Sequence, residues 1–318
     1  MQKKPVRIGL IGIGRMGQNH LRLLSMLKNV ELGFVFDTNI NMAARVGATY
    51  GVVAESDIES ALCRVDAVII ASPTITHAEY TRLAAKHVKN IFVEKPLADT
   101  LAEAEALYTL AQEKALNVQV GFIERFNPAV QQLKKVMDQS ERVINIDFTR
   151  TNKISSRITD VDVVTDLMIH DIDLALYLNG PVQSVFAHGV HEGAMIDFAS
   201  ALLTHTNGHF SRIQASRITD KKMRSIQATC FDMHIDCNLL RKEIVISRQT
   251  ETHQQCDGPY VISALEEAVE VRPQEALLTE LQAFLSSCQG ESAERPDALA
   301  GLEAMRICDE IQNTILKN

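Results

Sequence analysis

Between residues 6 and about 122, short β-branched runs alternate with stretches of helical periodicity, and this alternation constrains the fold most. VRIGLIG, ELGFVFD, DAVIIAS, NIFVEK and NVQVGF each read as buried strands. RMGQNHLRLLSML, NMAARVGATY, HAEYTRLAAKH and TLAEAEALYTLAQEKA lie between them at helical spacing. Strand then helix, repeated, requires a parallel sheet with helices on both faces. After about residue 140 the pattern changes. RVINIDFTR, VQSVFAHGV, MIDFASALLTH, HFSRIQASR, SIQATCFDMHID and EIVISRQT are longer runs with partial alternation, as in a mostly antiparallel sheet. Thr206-Asn207-Gly208 predicts a hairpin there, because Asn-Gly tolerates the positive φ values of a type I′ turn. Two helical segments, 274–289 and 297–316, close the chain. At 318 residues the chain suits two domains. The expected fold is α/β: a doubly wound parallel sheet over residues 1–122, then an α+β domain over 123–318 whose final helix is free to pack back on the first.

Composition narrows the partners. A formal net charge of −8 argues against broad binding of nucleic acid or an anionic membrane, since either needs a dense positive face. Hydrophobic content of 46% supplies a real core, yet no run approaches a membrane span. Six cysteines form no C-x-x-C pair and no metal spacing with histidines, so they read as reduced and mostly buried, and no metal is expected. Glycines interrupt the apolar run of MQKKPVRIGLIGIG, and no small-residue cleavage site follows it. A cytoplasmic protein is expected.

The first strand runs into Gly12-Ile13-Gly14-Arg15-Met16-Gly17, a G-x-G-x-x-G between strand and helix. One glycine makes the tight turn, one admits a pyrophosphate to the backbone, and one permits close helix packing. The helix N-terminus offers oriented N–H donors to that anion. Asp37 ends the second strand twenty residues after Gly17. A carboxylate there takes the adenine ribose hydroxyls and repels a 2′-phosphate, so NAD is expected over NADP. Glu94-Lys95-Pro96 ends the fourth strand, at the sheet edge where ligands bind in such folds. A lysine there polarises a hydroxyl or carbonyl; the tripeptide alone reads equally well as a surface lysine before a loop. In ASPTITHAEY, Ser72, Thr74 and His77 are cofactor contacts or, with equal weight, part of a helix start capped by Thr76.

Residues 165–173, TDLMIHDID, carry three aspartates and a histidine in apolar surroundings. Wound as an α-helix, Asp166, His170, Asp173 and Tyr177 fall on one narrow stripe. The remaining faces are apolar, so the helix is buried with one polar strip aimed at a partner.

Taken in order, strand–GIGRMG, ASPTITH, VEKP, GFIERFNP and DLMIHDIDLALYL resemble the glucose–fructose oxidoreductase/inositol dehydrogenase/MocA family over essentially the whole chain. The resemblance implies an N-terminal Rossmann domain, a C-terminal domain on an open, mostly antiparallel sheet, and an active site between them. It also implies hydride transfer between a nicotinamide and a secondary alcohol on a sugar, cyclitol or sugar nucleotide. Carried over by residue, the catalytic set is Lys95, Asp166 and His170, with the Lys95–Pro96 bond often cis. His170 takes the hydroxyl proton, Asp166 orients it and Lys95 stabilises the alkoxide, though His170 and Lys95 could exchange roles. Glu94 joins the cofactor set. Within the family the chain looks most like the UDP-N-acetyl-hexosamine 3-dehydrogenases, so the 3-hydroxyl of UDP-GlcNAc is the leading substrate. Arg125, Asn127 and Arg157 are then contacts to sugar or diphosphate, and each of the two arginines reads equally well as half of a surface ion pair. TNKISSRITDVD departs from that branch, lacking its prolines and carrying Asp162 where it has glycine. A dehydrogenase of a free sugar or inositol is the alternative, and a non-catalytic regulator sensing nucleotides a more distant one. Homodimers or homotetramers are implied.

Overall fold

The computed structural model describes residues 4–153, 161–193, 195–254 and 260–317. Two compact units emerge: Met1–Ile123 with Glu275–Arg306, and Glu124–Gln274 with Ile307–Asn318.

In the first unit the chain runs β1 (Val6–Ile11), α1 (Arg15–Leu24), β2 (Val30–Phe36), α2 (Ile40–Tyr50), α3 (Ile58–Leu62), β3 (Ala67–Ile70), α4 (His77–Ala84), β4 (Asn90–Glu94), α5 (Leu101–Glu113) and β5 (Asn117–Gly121). The five strands pair in parallel in the order β2-β1-β3-β4-β5. Each expected strand and helix is present, and α3 is an addition. A further parallel bridge, Val35 to Ala54, adds a rudimentary sixth strand outside β2. With it the sheet has the 3-2-1-4-5-6 order of a dinucleotide-binding fold. Strand order therefore reverses between β1 and β3, and the loops leaving those two strands flank a crevice.

In the second unit the elements are α6 (Pro128–Met137), β6 (Val143–Lys153), a π-helical turn (Val164–Met168), α7 (Ile169–Asn179), β7 (Val182–Glu192), β8 (Met195–His205), β9 (Phe210–Ser216), β10 (Ile218–Cys230), β11 (His234–Asn238), β12 (Glu243–Gln254) and β13 (Tyr260–Val269). The sheet order is β13-β12-β11-β10-β6-β9-β8-β7. Only the β6–β9 pair is parallel. SIQATCFDMHID, expected as one strand, is two. The Cys230 N–H donates to the Met233 carbonyl at 2.8 Å and reverses the chain there. The β8–β9 turn also differs from expectation. Gly208 has a φ of 84°, but Asn207 lacks the positive φ that type I′ requires. Asn207 is instead held by its side chain, which accepts from the His209 N–H at 3.0 Å and donates to the Asn179 carbonyl at 2.9 Å.

The last helices are α8 (Ala276–Cys288) and α9 (Ala298–Leu316). α8 covers one face of the first sheet: Leu277, Leu281, Phe284 and Leu285 join Ile8, Leu10, Ile69 and Phe92 in one cluster. The other face packs Ile11, Val68, Ile70 and Val93 against Leu62 of α3 and Ala84 of α4. Among the described residues no helix is long and apolar enough to cross a membrane.

Candidate active site

The three glycines after β1 meet three different surroundings. Gly12 has φ +89°, and a Cβ there would lie 2.5 Å from the Ser72 nitrogen, so only glycine lets the β1 and β3 loops touch. A Cβ on Gly17 would lie 1.9 Å from the Gly12 carbonyl oxygen, which makes it the close-packing position. Gly14 has nothing within 4 Å of a built Cβ. It is exposed at the head of α1, whose first turn carries no side-chain cap and no acid. Open backbone at an uncapped helix N-terminus is what an anion such as pyrophosphate requires. The residues present thus fit a dinucleotide.

Asp37 follows β2 directly. Its carboxylate accepts from the Ile13 N–H at 2.8 Å and from the Asn39 N–H at 2.8 Å, fixing the glycine loop to the loop after β2. A carboxylate has further lone pairs, so hydroxyls remain within its capacity.

These loops enclose a cleft of about 470 Å³. Of the expected cofactor residues, Gly12, Gly14, Met16, Asp37, Ser72, Thr74, His77, Glu94 and Lys95 line it, joined by Tyr80 and Met42. Ile13, Arg15 and Gly17 do not. The Ile13 side chain belongs to the core, Arg15 is exposed, and Gly17 is buried beneath the Gly12 carbonyl. The Lys95–Pro96 peptide is cis. Thr76 does not cap α4 with its side chain; its hydroxyl lies 2.8 Å from Ser72 Oγ and 2.7 Å from the Pro73 carbonyl.

Two buried histidines flank Lys95. His77, only 1% exposed, places Nδ1 2.8 Å from the Pro96 carbonyl and Nε2 2.9 Å from the Ser72 carbonyl. Its ring nitrogens are thereby engaged by main chain. Burial pushes the imidazole below its ordinary range, against the pull of the two carbonyls. On the other side, His20 Nε2 lies 2.7 Å from Glu94 Oε1, and the His20 ring stands edge-on to Phe92. Sequence reasoning missed His20, although it stands three residues after Gly17 in the buried stripe of α1.

In the second unit the aspartates of TDLMIHDID divide. Asp171 accepts from Arg150 Nε and Nη2, both at 2.8 Å, while Arg150 Nη1 donates to Glu124 Oε1 at 2.9 Å. Arg224 Nη1 approaches the same Glu124 oxygen at 3.5 Å. Asp171 and Glu124 together raise the Arg150 guanidinium above its usual value despite burial, so it is firmly charged. Burial also acts on Glu124, but Arg150, Asn127 and Arg224 outweigh it and hold that carboxyl below the usual range. Arg150 is legible in retrospect: it shares strand parity with buried Ile146 and Phe148. Asp173 is anchored by Arg125 at 2.6 and 2.9 Å, and the Arg125 guanidinium lies over the Tyr177 ring at 4.8 Å. One cation thus meets both Asp173 and Tyr177, the lower part of the expected stripe. Its upper part departs from α geometry, because Asp166 lies in the π-helical turn and His170 just after it. Both are half-buried, and Asp166 interacts electrostatically with Arg224. π turns of this kind recur at functional sites.

Arg125 and Asn127, expected as sugar or diphosphate contacts, hold elements of their own unit. Asn127 is buried and caps α6, accepting from the Ala129 N–H at 3.1 Å and donating to Glu124 at 3.1 Å. Arg157 lies outside the described residues. No group of three His, Cys, Asp or Glu side chains among the described residues is arranged to hold a metal ion.

Comparison with known proteins agrees with this architecture. Residues 6–122 match the oxidoreductase family with an NAD-binding Rossmann fold, and residues 142–234 match the Gfo/Idh/MocA C-terminal domain. The chain is 31% identical over 307 residues to the UDP-N-acetylglucosamine 3-dehydrogenase of Acidithiobacillus ferrooxidans, covering 95% of this chain and 94% of that protein. A solved structure of the same enzyme superposes with a TM-score of 0.87 at 29% identity over 98% of each chain. The scyllo-inositol 2-dehydrogenase (NAD(+)) of Bacillus subtilis is 31% identical over 235 residues, covering 67% of both chains. The chain belongs to the Gfo/Idh/MocA family of oxidoreductases, and residues 6–122 match that family's NAD-binding Rossmann fold.

Proposed function

We propose that this protein is an NAD-dependent dehydrogenase that oxidises a secondary hydroxyl of a sugar, the 3-hydroxyl of a UDP-N-acetyl-hexosamine such as UDP-GlcNAc, to the 3-keto sugar. The observation that carries the reading is the near full-length likeness to an enzyme of that name. Lys95 on the wall of the glycine-loop cleft is consistent with it. NAD⁺, when bound, supplies the hydride acceptor. The glycine loop and the head of α1 hold the pyrophosphate, Asp37 takes the ribose hydroxyls, and Ser72, Thr74 and Glu94 border the remainder. Lys95 stabilises negative charge that develops on the substrate oxygen. His170 removes the hydroxyl proton, because a neutral imidazole titrates near working pH. Asp166 supports the charged imidazole that results. Arg150 and Arg125 serve this chemistry by holding α7 through Asp171 and Asp173.

The inositol dehydrogenase among the relatives favours one second reading, oxidation of a free cyclitol or sugar. One substrate panel separates the two. Purified protein with NAD⁺ is offered UDP-GlcNAc, UDP-GalNAc, scyllo-inositol, myo-inositol and glucose, and reduced cofactor is followed by absorbance. Turnover confined to the UDP-sugars is expected. Turnover with inositol or glucose alone selects the second reading, and NAD binding without any turnover defeats both.

A further inference from the structure

His77 has a geometry that a neutral imidazole satisfies only by half. Both ring nitrogens face carbonyl oxygens, Pro96 at 2.8 Å and Ser72 at 2.9 Å, yet the neutral ring has one N–H to donate. Burial disfavours a second proton on the ring; of the charged groups that act on it, Glu94 favours that proton and Lys95 opposes it. The ring is almost completely buried, so water cannot relieve the contact it leaves unmade. The proton therefore selects which loop the ring holds: the one after β3, or the Pro96 carbonyl adjoining Lys95.

We propose that His77 is a positioning residue for Lys95: its Nδ1–H donates to the Pro96 carbonyl and so fixes the lysine on the wall of the cofactor cleft. Lys95 is then braced on both sides in sequence, by His77 through Pro96 and by His20 through Glu94. The Pro96 contact is the shorter and the fully buried one, so it takes the N–H, and the half-buried Ser72 carbonyl faces the unprotonated Nε2. The inference rests on the reading of Lys95 as the lysine that faces the substrate oxygen.

Asparagine and glutamine divide the two contacts. An asparagine amide nitrogen reaches about where Nδ1 stands, and a glutamine amide nitrogen about where Nε2 stands. His77→Asn keeps the Pro96 bond, whereas His77→Gln keeps the Ser72 contact. With UDP-GlcNAc and NAD⁺, kcat is expected to fall about 100-fold in His77→Gln and His77→Ala, the scale of a misplaced catalytic group, and at most about 10-fold in His77→Asn. KM for NAD⁺ should change little in all three. A second readout needs no turnover. Trace labelling with acetic anhydride, quantified on the peptide that holds Lys95, should change several-fold in His77→Gln and much less in His77→Asn. Equal labelling and equal kcat in His77→Gln and wild type would overturn the proposal. So would equal losses in His77→Asn and His77→Gln. If the variants do not fold, the wild type decides: ¹⁵N chemical shifts of His77 should show the Nδ1–H tautomer, and Nε2–H would overturn the proposal. Lys95→Ala is the control. Near-normal turnover in that variant defeats the reading of Lys95, whereas a dead Lys95→Ala beside a normal His77→Gln defeats only the positioning role.

Discussion

In the first unit the cleft is shaped mainly by main chain. Gly12 and Gly17 set how closely loops approach, Gly14 leaves the head of α1 open, and Asp37 and His77 act on backbone N–H and C=O groups. In the second unit α7 is held by side-chain charge. Arg150 reaches from β6 to Asp171 and Glu124, and Arg125 reaches from the segment before α6 to Asp173. The three glycines lie within six consecutive residues, so they appear as a motif. The ion pairs that hold Asp171 and Asp173 join residues 21 and 48 positions apart, and no local spacing announces them.

The largest expected effect falls on neither scaffold but on what each presents. Lys95→Ala and His170→Ala should each lower turnover by roughly 10²–10⁴-fold while leaving NADH binding near wild type, measured by fluorescence titration. Near-normal turnover in both would end the assignment of chemistry to these side chains. The charge scaffold breaks next. Asp171→Asn leaves the buried Arg150 with only part of its compensation, and denaturant unfolding should show a loss of about 3–5 kcal/mol. The triple variant Glu124→Gln/Arg150→Met/Asp171→Leu, which removes all three charges that Arg150 joins, should recover much of it. If Asp171→Asn is as stable as wild type, the pair is not what anchors α7.

The main-chain scaffold is tested by two substitutions of the same size. Gly17→Ala drives a Cβ against the Gly12 carbonyl and should destabilise the fold by about 1–3 kcal/mol. Gly14→Ala meets open space at an ordinary φ of −66°, so it should leave the thermal midpoint unchanged and weaken NADH binding alone. Equal effects from both would erase the distinction between packing glycine and approach glycine. The smallest effect is a pH dependence. Because Glu124 has its carboxyl held below the unfolded value of 4.5, its stabilisation is present above that pH and is lost as pH falls through the folded value. Glu124→Gln should flatten the acid limb of stability below about pH 4.5, and an unchanged limb would count against the charge cluster.

The same contrast explains how much was legible beforehand. Strand–helix alternation and the glycine spacing located every strand of the first sheet apart from the rudimentary bridge at Ala54, too short to leave a pattern. β13 was missed because it is an edge strand whose Leu265, Glu266 and Glu267 are all exposed, so alternation has nothing to report. The stripe on TDLMIHDID assumes a 100° step throughout, and that step does not describe the π turn that carries Asp166. The partners of Asp171 and Asp173 could not be read, because Arg150 and Arg125 lie in other elements. The parity of Arg150 with Ile146 and Phe148 is visible in the sequence, but parity alone does not distinguish a buried ion pair from an arginine at a strand edge.

The placement of α8 has a consequence in time. Leu277, Leu281, Phe284 and Leu285 complete a core whose other members all precede residue 93. A ribosome adding residues at about 5–20 per second reaches α8 roughly 10–30 s after it has finished β5. Throughout that interval α1 and α2 cover part of this face, and the rest of it, Phe92 included, stands without α8. The nucleotide-binding unit is encoded first and finished late, so its early folding depends on whatever shields that face while the rest of the chain is made.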